Sequence, residues 1–518
     1  MLSLPQAFSL SSLLTGLLSI LPETAIIIFA FVVLFLSFSE RLSKSDFPYI
    51  FSLIGVFVSM VYVFLLGNTT IFGFYGAVVF SGYEVFIFIA ILFSGFFTLL
   101  MSKNYIEKFD MPLPEYYSLI LFGLSAMMIL ASSDNLLMIF LSIEFMSISA
   151  YILTGYIRHN LRNLEAAVKY FVLGAFASGF LIFGSVFIYA AGGHLNLQNI
   201  HNYLNNILNA NIGNSLNIRV YLTIGLILFL VGLAFKMSLF PFHAWTPDAY
   251  DGAPTPVTSF MATGIKVAAF AIFLKVFFLI YNFNVMNFDN ILWVLAVFSM
   301  TFGNIAAIMS SNVKRLLAYS SIAQAGYILT GIIGGGTYGY SGTLFYLLAY
   351  VFMTAGSFAI VIIFENFDLL SLDIKKYSGI GYKYPAISAA FAFFLLSFAG
   401  IPMTAGFMGK FYVFSAAIKS NFNILALIAF INSAFAAFYY IKIIVNMYMP
   451  GKEYLTEKTG GDSGKVSIEG GFGIIGERIS NELLIVIAVC AFFTLLMGVY
   501  PQIFINFANI SIQSLWQV

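Results

Sequence analysis

A chain of 518 residues that is 61% hydrophobic and 9% charged, with a mean hydropathy of +0.97, carries more apolar surface than a water-soluble fold can hide. That excludes a soluble enzyme and indicates an all-α, polytopic membrane protein. A net charge of +1 gives no basis for binding nucleic acid, and a single cysteine, Cys490, can neither close an intrachain disulfide nor ligate an iron–sulfur cluster.

No Lys or Arg precedes Arg41, so the first apolar run lacks the basic flank of a cleaved signal and is expected to stay in the membrane. A spanning helix needs ~20 apolar residues. Cutting the chain at polar or Gly/Pro-rich breaks predicts fourteen spans: 12–38, 47–67, 84–102, 115–132, 135–156, 164–191, 219–245, 255–280, 290–311, 316–335, 341–364, 385–418, 422–449 and 482–507. The segments between them are short, apart from an Asn-rich connector at 192–218 and a charged, Gly-rich one at 451–481, expected to be mobile. His159, His194 and His201 fall in connectors, which argues against a haem pair inside the membrane.

Charge placement tests the count. Connectors after odd-numbered spans hold fifteen of the 23 Lys and Arg, while connectors and span ends on the other side hold three, Arg219, Lys275 and Lys419. This bias places the odd-side connectors in the cytoplasm and both termini outside it.

Six charges stand out inside the predicted spans: Glu144, Lys169, Lys236, Lys266, Lys410 and Lys442. Glu144 and Lys266 fall near the bilayer centre, about 15 Å along their helices. A charge there costs ~2.5–3.5 kcal/mol at least on insertion scales, so the group marks a polar pathway for protons or ions. Lys169 and Lys442 lie near enough to an interface to snorkel. Glu and Lys can change protonation state and Arg cannot, and burial disfavours the charged form of both.

Spans seven and twelve combine charge with a break: Lys236 with Pro241, and Lys410 with Gly400 and Pro402. Broken helices are tolerated in membranes where they line a wet cavity, and they recur in transporters built from repeats. Two such segments five spans apart predict two units of inverted topology, spans four to eight (115–280) and nine to thirteen (290–449). Residues 1–114 precede them as spans one to three, and 450–518 follow as a connector and span fourteen. His243, beyond the break in span seven, is a candidate to pass protons between Lys236 and Lys266. Asp248 and Asp251 are candidates to attract cations at the cytoplasmic mouth.

The stretches "LPETAIIIF" (21–29), "FLSIEFMSISAYIL" (141–154), "LEAAVKYFVLGAFASGFLIFG" (164–184), "AFKMSLFPFHAWTPDAYDGAPTPVTSFMATGIKVAAF" (234–270), "NIAAIMSSNVKRLLAYSSIAQAGY" (304–327) and "FAGIPMTAGFMGKFYVF" (398–414) resemble the antiporter-like subunits of respiratory complex I, most closely the bacterial N type. The resemblance covers essentially the whole chain. It implies a fourteen-helix fold with two inverted five-helix repeats, in the bacterial inner membrane. It also implies proton translocation by a translocase whose NAD, FMN, iron–sulfur clusters and quinone are held by other subunits. It further implies neighbours of the M-type antiporter-like kind and of the small K, J and A types. By the resemblance Glu144 pairs with Lys236, Lys266 is the central relay, Lys410 the terminal group, and Lys169 an N-type lysine. Subunits of multi-subunit cation/proton antiporters and of energy-converting hydrogenases share the motifs around Glu144, Lys236 and Lys266, and a purely structural anchor is the remaining alternative.

Overall fold

The computed structural model describes residues 10–67, 69–109, 111–209, 215–281, 288–366, 372–449 and 479–517. The 451–481 connector lies almost wholly outside them. Thirteen helices among the described residues are long and apolar enough to cross a membrane: Leu21–Phe38, Phe47–Leu66, Gly82–Glu107, Leu113–Ser132, Leu136–Thr154, Leu161–Gly192, Asn217–Met237, Thr255–Ile280, Phe288–Met309, Val313–Gly334, Gly336–Glu365, Asn423–Tyr448 and Asn481–Val499. The predicted span twelve is two shorter helices, Pro385–Ala399 and Ala405–Lys419. With it the bundle has the fourteen crossings expected, numbered below in chain order.

Four details depart from the expected boundaries. The run 12–38 is two helices, Leu10–Ser19 and Leu21–Phe35, because Pro22 in the first turn of the second suits a helix start and cannot continue the first. Span seven ends at Met237 rather than 245, and a short helix, Trp245–Gly252, follows the break. Span fourteen stops at Val499, and Pro501 opens a separate helix, Pro501–Gln517. The chain is also not purely helical: Ile71–Gly73 and Val78–Phe80 pair as a small antiparallel hairpin between spans two and three.

The hairpin and its neighbours knit one face together. Asp134 N–H donates to the Ala77 carbonyl, Leu197 N–H donates to the Asp134 carbonyl, and Asn196 Nδ2 reaches the Gly76 carbonyl at 2.6 Å. The Asn-rich connector is here a helix, Leu197–Asn209. On the opposite face, Asp248 joins Lys169 and Arg315, Asn312 Nδ2 bonds Asp251 at 2.9 Å, and Asn312 bridges to Asp373. Connectors after even spans therefore meet on the hairpin face and connectors after odd spans on the basic face, as alternating crossings require.

Spans three, eight, ten and eleven form the enclosed centre, and span eleven is buried along its most apolar stretch. Large side chains such as Phe176, Phe183, Phe430 and Phe438 point outward, as suits a lipid-facing rim. Lipid supplies no hydrophobic drive between helices, so close backbone approach and interhelical hydrogen bonds carry the packing. At Gly184 of span six a Cβ would lie 2.4 Å from the Phe229 backbone nitrogen of span seven, and at Gly303 of span nine 2.7 Å from the Ala323 nitrogen of span ten. Only glycine permits those approaches.

From the Lys and Arg asymmetry the hairpin face is expected to lie on the non-cytoplasmic side. Single cysteines at His194 and Ser463 are expected to react with a membrane-impermeant maleimide from opposite sides, the first from outside. The native Cys490 is fully buried and gives no background. Labelling of both from one side would contradict the alternation.

Candidate functional site

Lys236, Lys266 and Lys410 are each buried in the bundle, and each amine is met by a different kind of partner. Lys236 ends the first part of span seven and is 2% exposed. Its Nζ donates to Tyr151 Oη at 3.4 Å and lies 5.2–5.4 Å from the ring centroids of Tyr151, Tyr170 and Phe235. A desolvated cation–π contact contributes ~0.5–2 kcal/mol, so three rings offset much of the ~2.5–3.5 kcal/mol of placing the ammonium at this depth.

The break after Lys236 is closed by side chains rather than by the lysine. Trp245 Nε1 donates to the Phe235 carbonyl at 3.0 Å, and Phe240 N–H donates to Ser299 Oγ at 2.9 Å. Ser238 adopts φ +61° at the turn. The Phe235 carbonyl at this break accepts from both Trp245 Nε1 and the Ser238 N–H, the latter at 3.1 Å, while Lys236 turns to the rings.

Glu144 is half-buried on span five, and no ion pair joins it to Lys236. The two groups still interact across space, and Tyr151 feels Glu144 as well. Tyr151 sits two turns beyond Glu144 on one face of the same helix. The expected pair is thus open, with a phenol in contact with the amine. The i,i+7 spacing from Glu144 was the available signal for Tyr151.

Lys266 begins the regular part of span eight, just after a π-helical turn, Met261–Ile265. Such turns cluster at functional positions because they shift the register of the side chains that follow. Lys266 Nζ donates to the Ser321 carbonyl of span ten at 2.8 Å and also to Ser321 Oγ. The lysine therefore joins the two predicted halves.

Span twelve shows the expected coupling of charge and break. Gly400 takes φ +88°, which ends the first half-helix and leaves the carbonyls before it facing inward. Lys410, in the second half-helix, donates to the Phe398 carbonyl at 2.8 Å, the Ala399 carbonyl at 3.2 Å and Ser433 Oγ at 2.8 Å, with its Nζ 4.8 Å from the Tyr327 ring centroid. Pro402 lies in the turn between the halves.

Span ten links the last two lysines. One turn after Ser321, Gln324 Nε2 donates at 3.3 Å to the same Phe398 carbonyl that holds Lys410. It also donates to Tyr440 Oη at 3.3 Å, Tyr440 shares a hydrogen bond with Ser320, and Tyr346 Oη donates to Gln324 Oε1. Sequence inspection missed Ser320, Ser321, Gln324 and Tyr440. The first three are traced only by the polar run "YSSIAQ" (319–324) inside an apolar helix, and Tyr440 sits in an apolar helix of its own.

Two accessory candidates fall elsewhere. Lys169 is not in the interior: it is about half exposed at the basic face, paired with Glu165 at 2.8 Å and Asp248 at 3.0 Å. An open cavity of about 640 Å³ lies there, lined by Arg162, Glu165, Lys169, Asp248, Asp251 and Arg315 among others. His243 is buried, its ring 4.6 Å from Phe302 and 5.3 Å from Phe240, and its Nδ1 has no hydrogen bond. Among the described residues its ring packs against Phe240 and Phe302, with no direct hydrogen bond to Lys236 or Lys266. Lys442 is exposed, in keeping with snorkelling.

Comparison with known proteins follows this geometry. The family described as "NADH:quinone oxidoreductase/Mrp antiporter, TM" matches residues 133–436, which include Glu144, Lys236, Lys266 and Lys410. The chain is 39% identical to "NADH-quinone oxidoreductase subunit N" of Trichlorobacter lovleyi over 84% of its own length and 88% of that protein. Its fold aligns with a chain of "Respiratory complex I from Thermus thermophilus with bound Aureothin" at a TM-score of 0.73 and 27% identity, covering 94% of this chain and 99% of that one. A chain of the Mrp complex from Dietzia aligns at 0.77 with 20% identity, over 97% and 98% of the two chains, a likeness of fold alone. A family match over more than half the chain and a near full-length relative at this identity lead to one conclusion: this multi-pass membrane protein belongs to the NADH-quinone oxidoreductase subunit N family.

Proposed function

We propose that the chain moves protons at mid-membrane along a line that starts at Glu144, Tyr151 and Lys236, passes Lys266 and Ser321, and continues through Gln324 to Lys410. As a subunit of a multi-subunit NADH:quinone oxidoreductase it is driven by quinone reduction in other chains, and NAD, FMN, iron–sulfur clusters and quinone sit in those partners. The M-type subunit and the small K, J and A types are the expected neighbours. Spans four to eight and nine to thirteen act as the two inverted units, with the basic face in the cytoplasm and both termini outside, in the bacterial inner membrane.

The observation that carries this reading is on span ten. One helical turn holds Lys266 at Ser321 and, through Gln324, the carbonyl that binds Lys410. A structural anchor needs each charge satisfied separately and has no use for a shared acceptor between two lysines. Each acceptor on the line is a hydroxyl, a carbonyl or an amide, groups that hold either a neutral or a charged amine. The charged cavity of Lys169, Asp248 and Arg315 then serves as a cytoplasmic entrance rather than as part of the interior line. The antiporter alternative rests on shared motifs, a family that spans both groups and a shared fold, while the relative at 39% identity carries the subunit N name.

Quinone-reductase turnover and proton uptake in membrane vesicles test the line. Lys266→Met keeps the stem and removes the amine, and one buried charge fewer should not prevent assembly. Proton uptake should fall by about 100-fold, the lower end of what one positioned proton-transfer group contributes. Normal uptake would remove Lys266 from the line.

Gln324→Leu leaves both lysines in place and removes the bridge to the Phe398 carbonyl together with the bonds to Tyr440 and Tyr346. The expected result is assembled complex with proton uptake reduced relative to electron transfer. Wild-type coupling in this variant would show that Gln324 only packs. Lys410→Glu, still titratable, should retain more uptake than Lys410→Met, and equal loss in the two would argue against a protonation role at that position.

A further inference from the structure

The "LPE" stretch is unused by the line above, yet its carboxylate is among the most buried groups in the protein. Glu23 is fully buried in the first turn of span one. Its Oε1 accepts from Ser132 Oγ at 3.0 Å, and its Oε2 has no hydrogen-bond partner.

Three more titratable groups share this end of the bundle, beneath the hairpin. Glu84, fully buried at the start of span three, has both oxygens engaged: Oε1 by Lys275 at 3.0 Å, and Oε2 by Ser81 N–H at 2.9 Å and Ser81 Oγ at 2.6 Å. Lys275, assigned from sequence to a span end, is 1% exposed inside span eight and also reaches the Ala131 carbonyl at 3.5 Å. Asp134, two residues beyond Ser132 in the connector at the hairpin face, is 2% exposed, and its Oδ1 has no hydrogen-bond partner. Glu23 feels Glu84, and Asp134 feels both Lys275 and Glu84, so the four groups act as one electrostatic cluster.

The charge balance of this cluster is uneven. Lys275 is in contact with Glu84 and neutralises it. Two carboxyls remain with no cation of their own, each with one unbonded oxygen. Leaving both ionised out of water would strand a buried double negative charge, which is more costly than holding protons. No group of three carboxylate or imidazole side chains among the described residues converges closely enough to hold a metal ion, so a proton is the occupant the geometry fits. Burial, opposed by Lys275, pushes the Asp134 carboxyl up to about 6, within reach of the surrounding medium.

We propose that Glu23, Glu84, Asp134 and Lys275 form a second protonatable site under the hairpin face, in which Glu23 and Asp134 hold exchangeable protons. Glu84 and Lys275 are the fixed pair that sets the local field. Ser132, on the Glu23 carboxyl and two residues from Asp134, is the connecting hydroxyl. Protons enter and leave as H⁺ with no covalent or redox step. This site deepens the translocation reading, since it lies between the interior and the face to which protons are delivered, but its proton occupancy is a property of the resting protein.

Infrared difference spectroscopy of the intact complex tests it without any pumping assay. Protonated carboxyls give a C=O stretch separate from the carboxylate bands, and that stretch shifts in D₂O. In a medium at about pH 5, below the Asp134 value of about 6, Glu23→Gln and Asp134→Asn should each remove one such band from the wild-type spectrum. Both bands should shift when the medium is changed to D₂O within the time of a few turnovers. Lys275→Met should add a band, because Glu84 loses its counter-charge and takes up a proton. If neither Glu23→Gln nor Asp134→Asn removes a band, or if the bands never shift, the site is a static ionic lock and the proposal is wrong. Should one variant fail to assemble, the other variant and the wild-type exchange still decide. Exchanging bands together with normal pumping by Lys266→Met would retain this site and overturn only the mid-membrane line.

Discussion

An ammonium group in a hydrocarbon layer must be given partners, and the fold is arranged around that requirement. Five lysines are nearly fully enclosed in the described bundle: Lys236, Lys266, Lys275, Lys314 and Lys410. Only Lys275 is met by a carboxylate. Lys236 is met by aromatic faces and a phenol, Lys266 by a serine, Lys410 by two carbonyls and a serine, and Lys314 by the Ala253 carbonyl at 2.7 Å. Neutral partners tolerate either protonation state, whereas a fixed carboxylate favours the charged one. The distribution separates four amines with neutral partners from one met by a carboxylate.

The two broken spans solve the same problem in different ways. In span twelve, Gly400 reverses the sign of φ, so the Phe398 and Ala399 carbonyls turn to the lysine of the next half-helix. In span seven, the indole of Trp245 shares the Phe235 carbonyl with the Ser238 N–H and the lysine turns to the rings. Both lysines sit on the half-helix nearer the hairpin face, one before its break and one after, as oppositely directed spans require. A break is therefore less a hinge than a means of supplying acceptors where an unbroken helix would consume them.

Span ten lies at the junction. Its apolar length is interrupted by Ser320, Ser321 and Gln324, and every one of these bonds to another helix. An amide and an ammonium sharing one carbonyl couple the position of Gln324 to the state of Lys410, because a proton lost from the lysine weakens its claim on that oxygen. The same dependence on neighbours explains why so many tyrosines are buried with their hydroxyls bonded, among them Tyr83 to the Ala271 carbonyl at 2.7 Å and Tyr327 to Asn304 at 3.0 Å.

Hydropathy and charge by themselves determined the number of crossings, the alternation of basic connectors, the buried positions of Lys236, Lys266 and Lys410, and the coincidence of charge with helix breaks. Those properties follow from the bilayer as solvent, which acts on each segment separately. Tertiary structure decided which polar residues join them. Hydroxyls in apolar helices commonly bond the carbonyl four residues back, as Ser147 does to Ile143 and Thr154 to Ala150, so a satisfied serine and a linking serine look alike in sequence. Ser321 and Gln324 became distinguishable only when spans eight and twelve were packed against them. The same holds for Glu23 and Lys275, which lie far apart along the chain at the ends of apolar runs and share an environment only because spans one, three, four and eight meet beneath the hairpin. His243, close in sequence to Lys236, packs its ring against Phe302 across the break, a neighbour that chain proximity did not indicate.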